Sequence, residues 1–143
     1  MSTLQITPEL MLALKERGFS MTRPRALIFN ALANSDEPMS MHELYAQCAQ
    51  DINRTSLYRA IDIFEKCGVI ERVQIGWKYK IELSEAFSSH HHHIVCAHCG
   101  EVTSFEENED IKKAIYELAT SLHYELTTHN IELRGVCSNC RTN

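Results

Sequence analysis

Two cysteine pairs carry the plainest chemistry in this chain: "CAHC" at 96–99 and "CSNC" at 137–140. Two residues between thiolates let one tight turn present both sulfurs to the same ion. Two such pairs complete a tetrahedral shell of four sulfurs, the coordination that structural zinc prefers. Cys96, Cys99, Cys137 and Cys140 are therefore read as a structural zinc site, and Gly100, directly after the first pair, lets the chain bend away. The alternatives at this spacing are redox chemistry and cysteines that only pack. Cys48 and Cys67 have no partner so spaced, fall in helical stretches, and read as packing residues.

Just ahead of the first pair, "SSHHHHIVCAHCGEV" at 88–102 sets His90, His91, His92 and His93 in a row. A purification tag sits at a terminus, and this run is internal. A solvated polyhistidine loop is the alternative to a set of ligands. In an extended segment successive side chains point to opposite sides. His91 and His93 then share one face and His90 and His92 the other, so one short run can serve two sites. Neutral imidazole suits zinc, iron or nickel, and its affinity falls as pH drops through the imidazole pKa.

The elements that must position these groups follow from the local pattern. "EVTSFE" reads as a strand. In "EDIKKAIYELATSLH" an apolar stripe of Ile111, Ile115, Leu118 and Leu122 predicts an amphipathic helix, and "NIELRGVC" returns as a strand to the second pair. Residues 90–143 are too few to bury a generous core, which calls for a zinc staple and for a second copy across a two-fold axis.

The first half reads as helices with clear punctuation. "TPELMLALKERG" offers Thr7 as cap, Pro8 at the first helical position and Gly18 past the end. "TRPRALIFNALANS" restarts at Thr22, with Leu27, Ile28, Ala31 and Leu32 on one face. "SMHELYAQC" carries a capping box of Ser40 and Glu43. In "NRTSLYRAIDIFEKCG" the stripe Leu57, Ala60, Ile61 and Phe64 predicts the buried face and Asn53 the cap. Arg54, Thr55, Tyr58, Arg59 and Asp62 lie mostly off that stripe. Such groups reach guanine edges, phosphates and thymine methyls, as a recognition helix in the major groove requires. An ordinary amphipathic helix with a solvated face is the alternative.

"VIERVQIGWKYKIEL" then predicts two strands joined near Gly76, with Trp77, Tyr79, Ile81 and Leu83 alternating with Lys78, Lys80 and Glu82. Helices followed by such a ribbon make a winged helix-turn-helix, in which Lys78 and Lys80 face phosphates.

Charge divides the chain in the same way. The net charge is −5, yet residues 1–84 hold ten Lys/Arg against ten Asp/Glu, and residues 85–143 hold four against nine. The acidic half is a poor partner for nucleic acid, while a neutral half binds DNA if its cations share a face. The fold class expected is α+β: a winged-helix DNA-binding domain over 1–84, a hinge over 85–89, and a small α/β metal-binding dimerisation domain over 90–143. No apolar run approaches the roughly 20 residues of a membrane span, and "MSTLQITPEL" shows no secretory pattern. A cytoplasmic protein without a membrane partner is expected.

These residues resemble the ferric uptake regulator family, bacterial metal-dependent repressors that include iron, zinc, manganese, nickel and peroxide sensors. The resemblance covers nearly the whole chain and rests on "TRPR" at 22–25, "TSLYRAIDIFEKCGVIERV" at 55–73, "HHHHIVCAHCG" at 90–100 and the closing "CSNC". It implies base contacts by Tyr58 and Arg59, with Arg23 and Arg25 among the further DNA contacts, and structural zinc on the four cysteines. It implies a regulatory hinge site of Glu82, His91 and His93, and a further site that draws on His90, His92 and His129. The implied partners are a double-stranded DNA operator and a second copy of the chain. The implied second ion is zinc or iron(II), and filling the hinge site is expected to select the dimer arrangement that fits successive major grooves.

Several positions depart from the family pattern. Pro38 stands where a histidine ligand is common, with Asp36, Glu37 and His42 nearby. His92 replaces an aspartate of iron-type members, Ser104 replaces a carboxylate, and Lys112 replaces an acid early in the long helix, although Glu109 and Asp110 are close. Ser20 replaces a minor-groove lysine. The extra imidazole favours zinc or nickel over manganese, and Glu82 and Ser104 weigh against the peroxide-sensing branch. Two other classes compete: a metal-activated hydrolase, for which no catalytic motif is visible beyond the ligands, and a zinc-ribbon interaction module with incidental histidines.

Overall fold

Four helices come first, and each begins at a residue that satisfies a free backbone amide. Thr7 accepts from the Leu10 amide at the start of α1 (Pro8–Glu16), and Thr22 accepts from Arg25 at the start of α2 (Arg23–Ala33). Before α3 (Met41–Cys48) the Ser40 hydroxyl accepts from the Glu43 amide at 3.0 Å. Glu43 in return accepts from the Ser40 amide at 2.8 Å, a reciprocal box. Asn53 caps α4 (Arg54–Lys66) through the Ser56 amide at 2.8 Å. Gly18 and Gly68 turn the chain out of α1 and α4 at φ +80° and +70°, a conformation that side chains with a Cβ resist.

This is a computed structural model that describes residues 4–142, and the chain in it divides into two compact units, Met1–Ser89 and His90–Asn143. In the first, Leu10, Leu14, Leu44, Leu57, Ile61 and Phe64 build one core, and Phe64 is wholly buried. The α4 stripe is buried as its spacing predicts. The buried face of α2 differs from expectation: Ala26, Ile28, Phe29 and Leu32 are covered, while Leu27 and Ala31 are half-buried. That helix packs against α3, α4 and β2 at once, so more than one stripe is covered.

Strands β1 (Ile70–Ile75) and β2 (Lys78–Leu83) pair antiparallel from Ile70↔Leu83 to Ile75↔Lys78. Only Gly76 and Trp77 remain for the turn, and Gly76 takes φ +59°, as the first position of a tight hairpin demands. Trp77 therefore does not continue the inward alternation of Tyr79, Ile81 and Leu83; it is fully exposed at the tip. At the other end, Ile81 also bonds Met39 in both directions at 2.7 and 2.8 Å. Phe87, after β2, rests edge-on against Phe29 with ring centres 5.9 Å apart.

The second unit has a three-stranded sheet in the order β4-β3-β5, built from β3 (His92–Cys96), β4 (Val102–Phe105) and β5 (Glu132–Gly135). β4 runs antiparallel to β3, and β5 runs parallel to it after a crossover through α5 (Glu109–Ser121). A short α6 (Ser138–Arg141) ends the chain. No residue of α5 is buried, and Leu118 and Leu122 of its apolar stripe are 60% and 59% exposed. Among the described residues, no helix is long and apolar enough to cross a membrane.

The reciprocal box at α3 is testable. Ser40→Ala removes the acceptor for the Glu43 amide and is expected to cost about 1 kcal/mol. The urea midpoint of the first unit, followed by far-ultraviolet circular dichroism because the exposed Trp77 is a poor reporter of unfolding, should fall accordingly. An unchanged midpoint rules the cap out as a stabilising feature.

Candidate metal centres

The cysteines come together by a simple route. Cys96 closes β3, and the turn to Cys99 is tied by the Gly100 amide donating to the Cys96 carbonyl at 2.9 Å. Gly100 itself takes φ +75°. Parallel pairing of Cys96 with Gly135 brings β5 alongside, and Cys137 starts α6, which carries Cys140. The four sulfurs lie within 4.8 Å of one another, and Cys99 and Cys137 are 3.8 Å apart. Two sulfurs about 2.3 Å from one ion at the tetrahedral angle stand about 3.8 Å apart, so the set fits zinc.

Electrostatics in this set is divided. The backbone amides of Cys137 and then Cys99 hold the Cys96 thiol down to about 5; the Cys137 amide donates to its sulfur at 3.4 Å. Cys140 is pushed up to about 12, first by its hydrogen bond with the Cys137 sulfur and then by desolvation. Sulfurs this close cannot all ionise without a cation among them, and a divalent ion supplies that charge.

A second set, of nitrogen and oxygen donors, forms on one face of the histidine run. His90, His92, Glu107 and His129 place one donor atom each within 4.8 Å of the others. Glu107 Oε2 is 2.8 Å from His92 Nε2 and 2.7 Å from His129 Nε2, and Oε1 is 3.9 Å from His90 Nε2. Hydrogen bonds from His92 and then His129 hold the Glu107 carboxyl below its ordinary range. His92 is wholly buried, and its Nδ1 accepts from the Ile131 amide at 3.1 Å. A neutral His92 then carries its proton on Nε2 and donates it to Glu107. Three imidazoles and a carboxylate suit a tetrahedral borderline cation. Ligation at Nε2 of His92 requires that this proton leave or move to Nδ1 with loss of the Ile131 contact.

Sequence reasoning missed Glu107 and looked for the acid within the long helix, near Lys112. The signal was present: His92 pairs with Phe105 across β3 and β4, so an acid two residues beyond Phe105 falls beside the histidine face. His91 and His93 stand on the opposite face with ring centres 4.9 Å apart. Glu82 is half-buried on β2 of the first unit, across from Glu71. Ser104 lies directly opposite His93.

The expected DNA contacts all belong to the first unit. Arg54, Thr55, Tyr58 and Arg59 are exposed on the early turns of α4, Arg54 over the Tyr45 ring at 4.5 Å. Arg23 reaches Asp51 at 3.3 Å, and Arg25 donates to the Ser20 carbonyl beside the Phe19 ring. Lys78 is exposed, whereas Lys80 is half-buried and 3.8 Å from Glu43.

This α+β arrangement has known relatives. The sequence profile of the ferric uptake regulator family matches residues 16–134. The ferric uptake regulation protein of Vibrio anguillarum is 33% identical over 138 residues, which span 92% of this chain and 91% of that protein. The crystal structure of the Vibrio cholerae ferric uptake regulator matches with a TM-score of 0.68 at 30% identity, over 88% of this chain and 98% of that one. The iron-containing regulator of Francisella tularensis matches at 0.71 and 26% identity, over 87% and 96%. The first unit is thus a winged helix, and, with the profile and the Vibrio relatives matching nearly from end to end, the chain belongs to the ferric uptake regulator family.

Proposed function

We propose that this chain is a metal-responsive, DNA-binding repressor of metal-homeostasis genes that acts in the cytoplasm as a homodimer. Cys96, Cys99, Cys137 and Cys140 hold structural zinc, and a second divalent ion, zinc or iron(II), is the one sensed. The observation that carries this reading is the presence of two donor sets of different character within one unit. Four thiolates bind tightly and close the coordination sphere, whereas His90, His92, Glu107 and His129 form a softer-held, proton-sensitive set. An interaction module needs only the first.

Family membership supports the DNA partner, and the exposed Arg54, Thr55, Tyr58 and Arg59 supply the groups that read a major groove. Residues 1–84 then act as the DNA-binding domain, 85–89 as the hinge and 90–143 as the dimerisation domain. The bare apolar side chains of Ile111, Leu118, Leu122 and Leu133 support a second copy as their cover. Glu82, with His91 and His93, is proposed to ligate at the hinge, so that filling it narrows the arrangements that the two DNA-binding domains sample. A difference of about 3 kcal/mol between filled and empty states changes DNA affinity about 150-fold. The third imidazole favours zinc, and the iron found in the Francisella relative favours iron(II).

Elemental mass spectrometry of untagged protein, before and after mild chelation, tests this directly. The expected result is one resistant zinc per chain together with at least one removable ion, whose return restores duplex binding. A single resistant zinc that no excess metal supplements, or duplex binding indifferent to the removable ion, refutes the sensor reading.

Glu107→Gln is expected to weaken the ion held among His90, His92, Glu107 and His129 by more than about tenfold and to leave the resistant zinc in place. Equal loss of both ions shows that the variant disturbs the fold rather than one site. Zinc loading of fully chelated protein at neutral pH should release protons, those of Cys140 and Cys99 among them, whose thiols are raised. Indicator-dye titration reads the release, and Cys140→Ser should lower it; a release no smaller than the parent's rules this account out.

A further inference from the structure

Trp77 is the single tryptophan of the chain, and it stands entirely in solvent at the tip of the β1–β2 hairpin. Large aromatic side chains bury most of their surface in folded proteins, so a bare indole at the end of a rigid element is unusual. The tip is well fixed. Its strands pair along their whole length, and Gln74 Nε2 donates to the Gly76 carbonyl at 2.8 Å across the turn.

Charge is graded along this hairpin. From Val73 to Ile81 it carries Lys78 and Lys80 and no carboxylate. Its acids, Glu71 and Glu82, face each other at the far end. Lys80 is drawn toward Glu43, and Arg72 is held by Glu65 at 2.8 Å beneath the Tyr79 ring, so neither is a spare cation. Lys78 is exposed beside Trp77. The same Arg72–Glu65 pair ties the hairpin to α4, which also presents Arg54, Tyr58 and Arg59. Tip and helix therefore travel as parts of one unit.

We propose that Trp77 is an aromatic contact to the sugar–phosphate backbone of duplex DNA, with Lys78 taking the adjacent phosphate. The inference rests on the DNA-binding reading above. The chemistry fits on each count. Indole has a donor N–H and no acceptor, which suits a phosphate oxygen. Its apolar faces suit deoxyribose, and a neighbouring ammonium suits the anionic phosphates that alternate with that sugar. A tip already held in place loses little freedom on contact. Backbone contacts carry affinity without sequence information, so this contact strengthens binding to every duplex alike.

The experiment uses the full-length, metal-loaded protein and two labelled duplexes: one enriched by it from a random-sequence pool, and a scrambled version of the same composition. Anisotropy of the label reports binding, and acrylamide quenching of tryptophan emission reports cover on Trp77 alone. The expected result is severalfold protection from acrylamide on binding either duplex. Trp77→Ala should bind both about tenfold more weakly, by the same factor, and Trp77→Phe should recover most of the loss.

Binding seen by anisotropy with quenching unchanged, and Trp77→Ala binding as tightly as the parent, overturns the proposal and leaves the DNA-binding reading standing. A loss confined to the enriched duplex makes Trp77 a reader of bases and overturns it as well. Protection that appears with rising protein concentration in the absence of DNA assigns the tip to a second copy of the chain. Failure to retain any duplex in any metal state removes the DNA-binding reading and this inference with it.

Discussion

Too few apolar side chains are buried in the second unit to hold it by hydrophobic burial alone. Among its described residues, only Val95, Cys96 and Val102 are buried apolar groups, and they are joined by His92 and His93. Side chains of that kind contribute roughly 1.5–3 kcal/mol each on full burial, against about 1–2 kcal/mol of backbone entropy for every residue ordered. Other forces must close the gap. The buried His92 belongs to the imidazole–carboxylate set and the buried Cys96 to the sulfur set, so the interior of this unit and its capacity for cations draw on the same residues. Binding free energy at such sites is folding free energy.

The first unit works the other way. Its core is apolar and continuous, its helices are capped by their own side chains, and Leu57, Ala60, Ile61 and Phe64 anchor α4 firmly. That anchoring frees the opposite face to carry residues chosen for chemistry. A helix held on one side by burial can expose Thr55, Tyr58 and Arg59 at little cost, because none of them belongs to the core, while Arg54 lies over the Tyr45 ring. The residues that stabilise this unit thus lie on one face of α4, whereas in the second unit the buried His92 and Cys96 are themselves possible ligands. On the proposed function, a variant of Thr55, Tyr58 or Arg59 should therefore act on binding alone, while a variant of a donor acts on binding and folding together.

How much of this was legible in the sequence depends on the range of the interaction that decides it. Thr7, Thr22, Ser40 and Asn53 act on amides three residues away, and each cap was readable as written. The alternation of His90 to His93 and the Cys-x-x-Cys turns are equally local. Phe29 was missed because three neighbours cover α2, and a stripe rule assumes one. Alternation assigns Trp77 to a strand, whereas the register leaves it in the turn. Glu107 was missed because its place depends on pairing between β3 and β4, not on spacing within either.

That pairing also explains how one run of four histidines serves opposite faces without ambiguity. Side chains alternate strictly along a strand, so a slip of one residue would exchange the two histidine sets and strand both. β3 is fixed against such a slip on both sides, by Val102 and Phe105 of β4 and by Glu132 and Gly135 of β5. The same strand ends on Cys96, whose sulfur takes the Cys137 amide. A slip that misplaced His92 would therefore also withdraw Cys96 from its partners. The sulfur set at one end of β3 and the imidazole sets at the other hold a common register, and this links the geometry of one to that of the other.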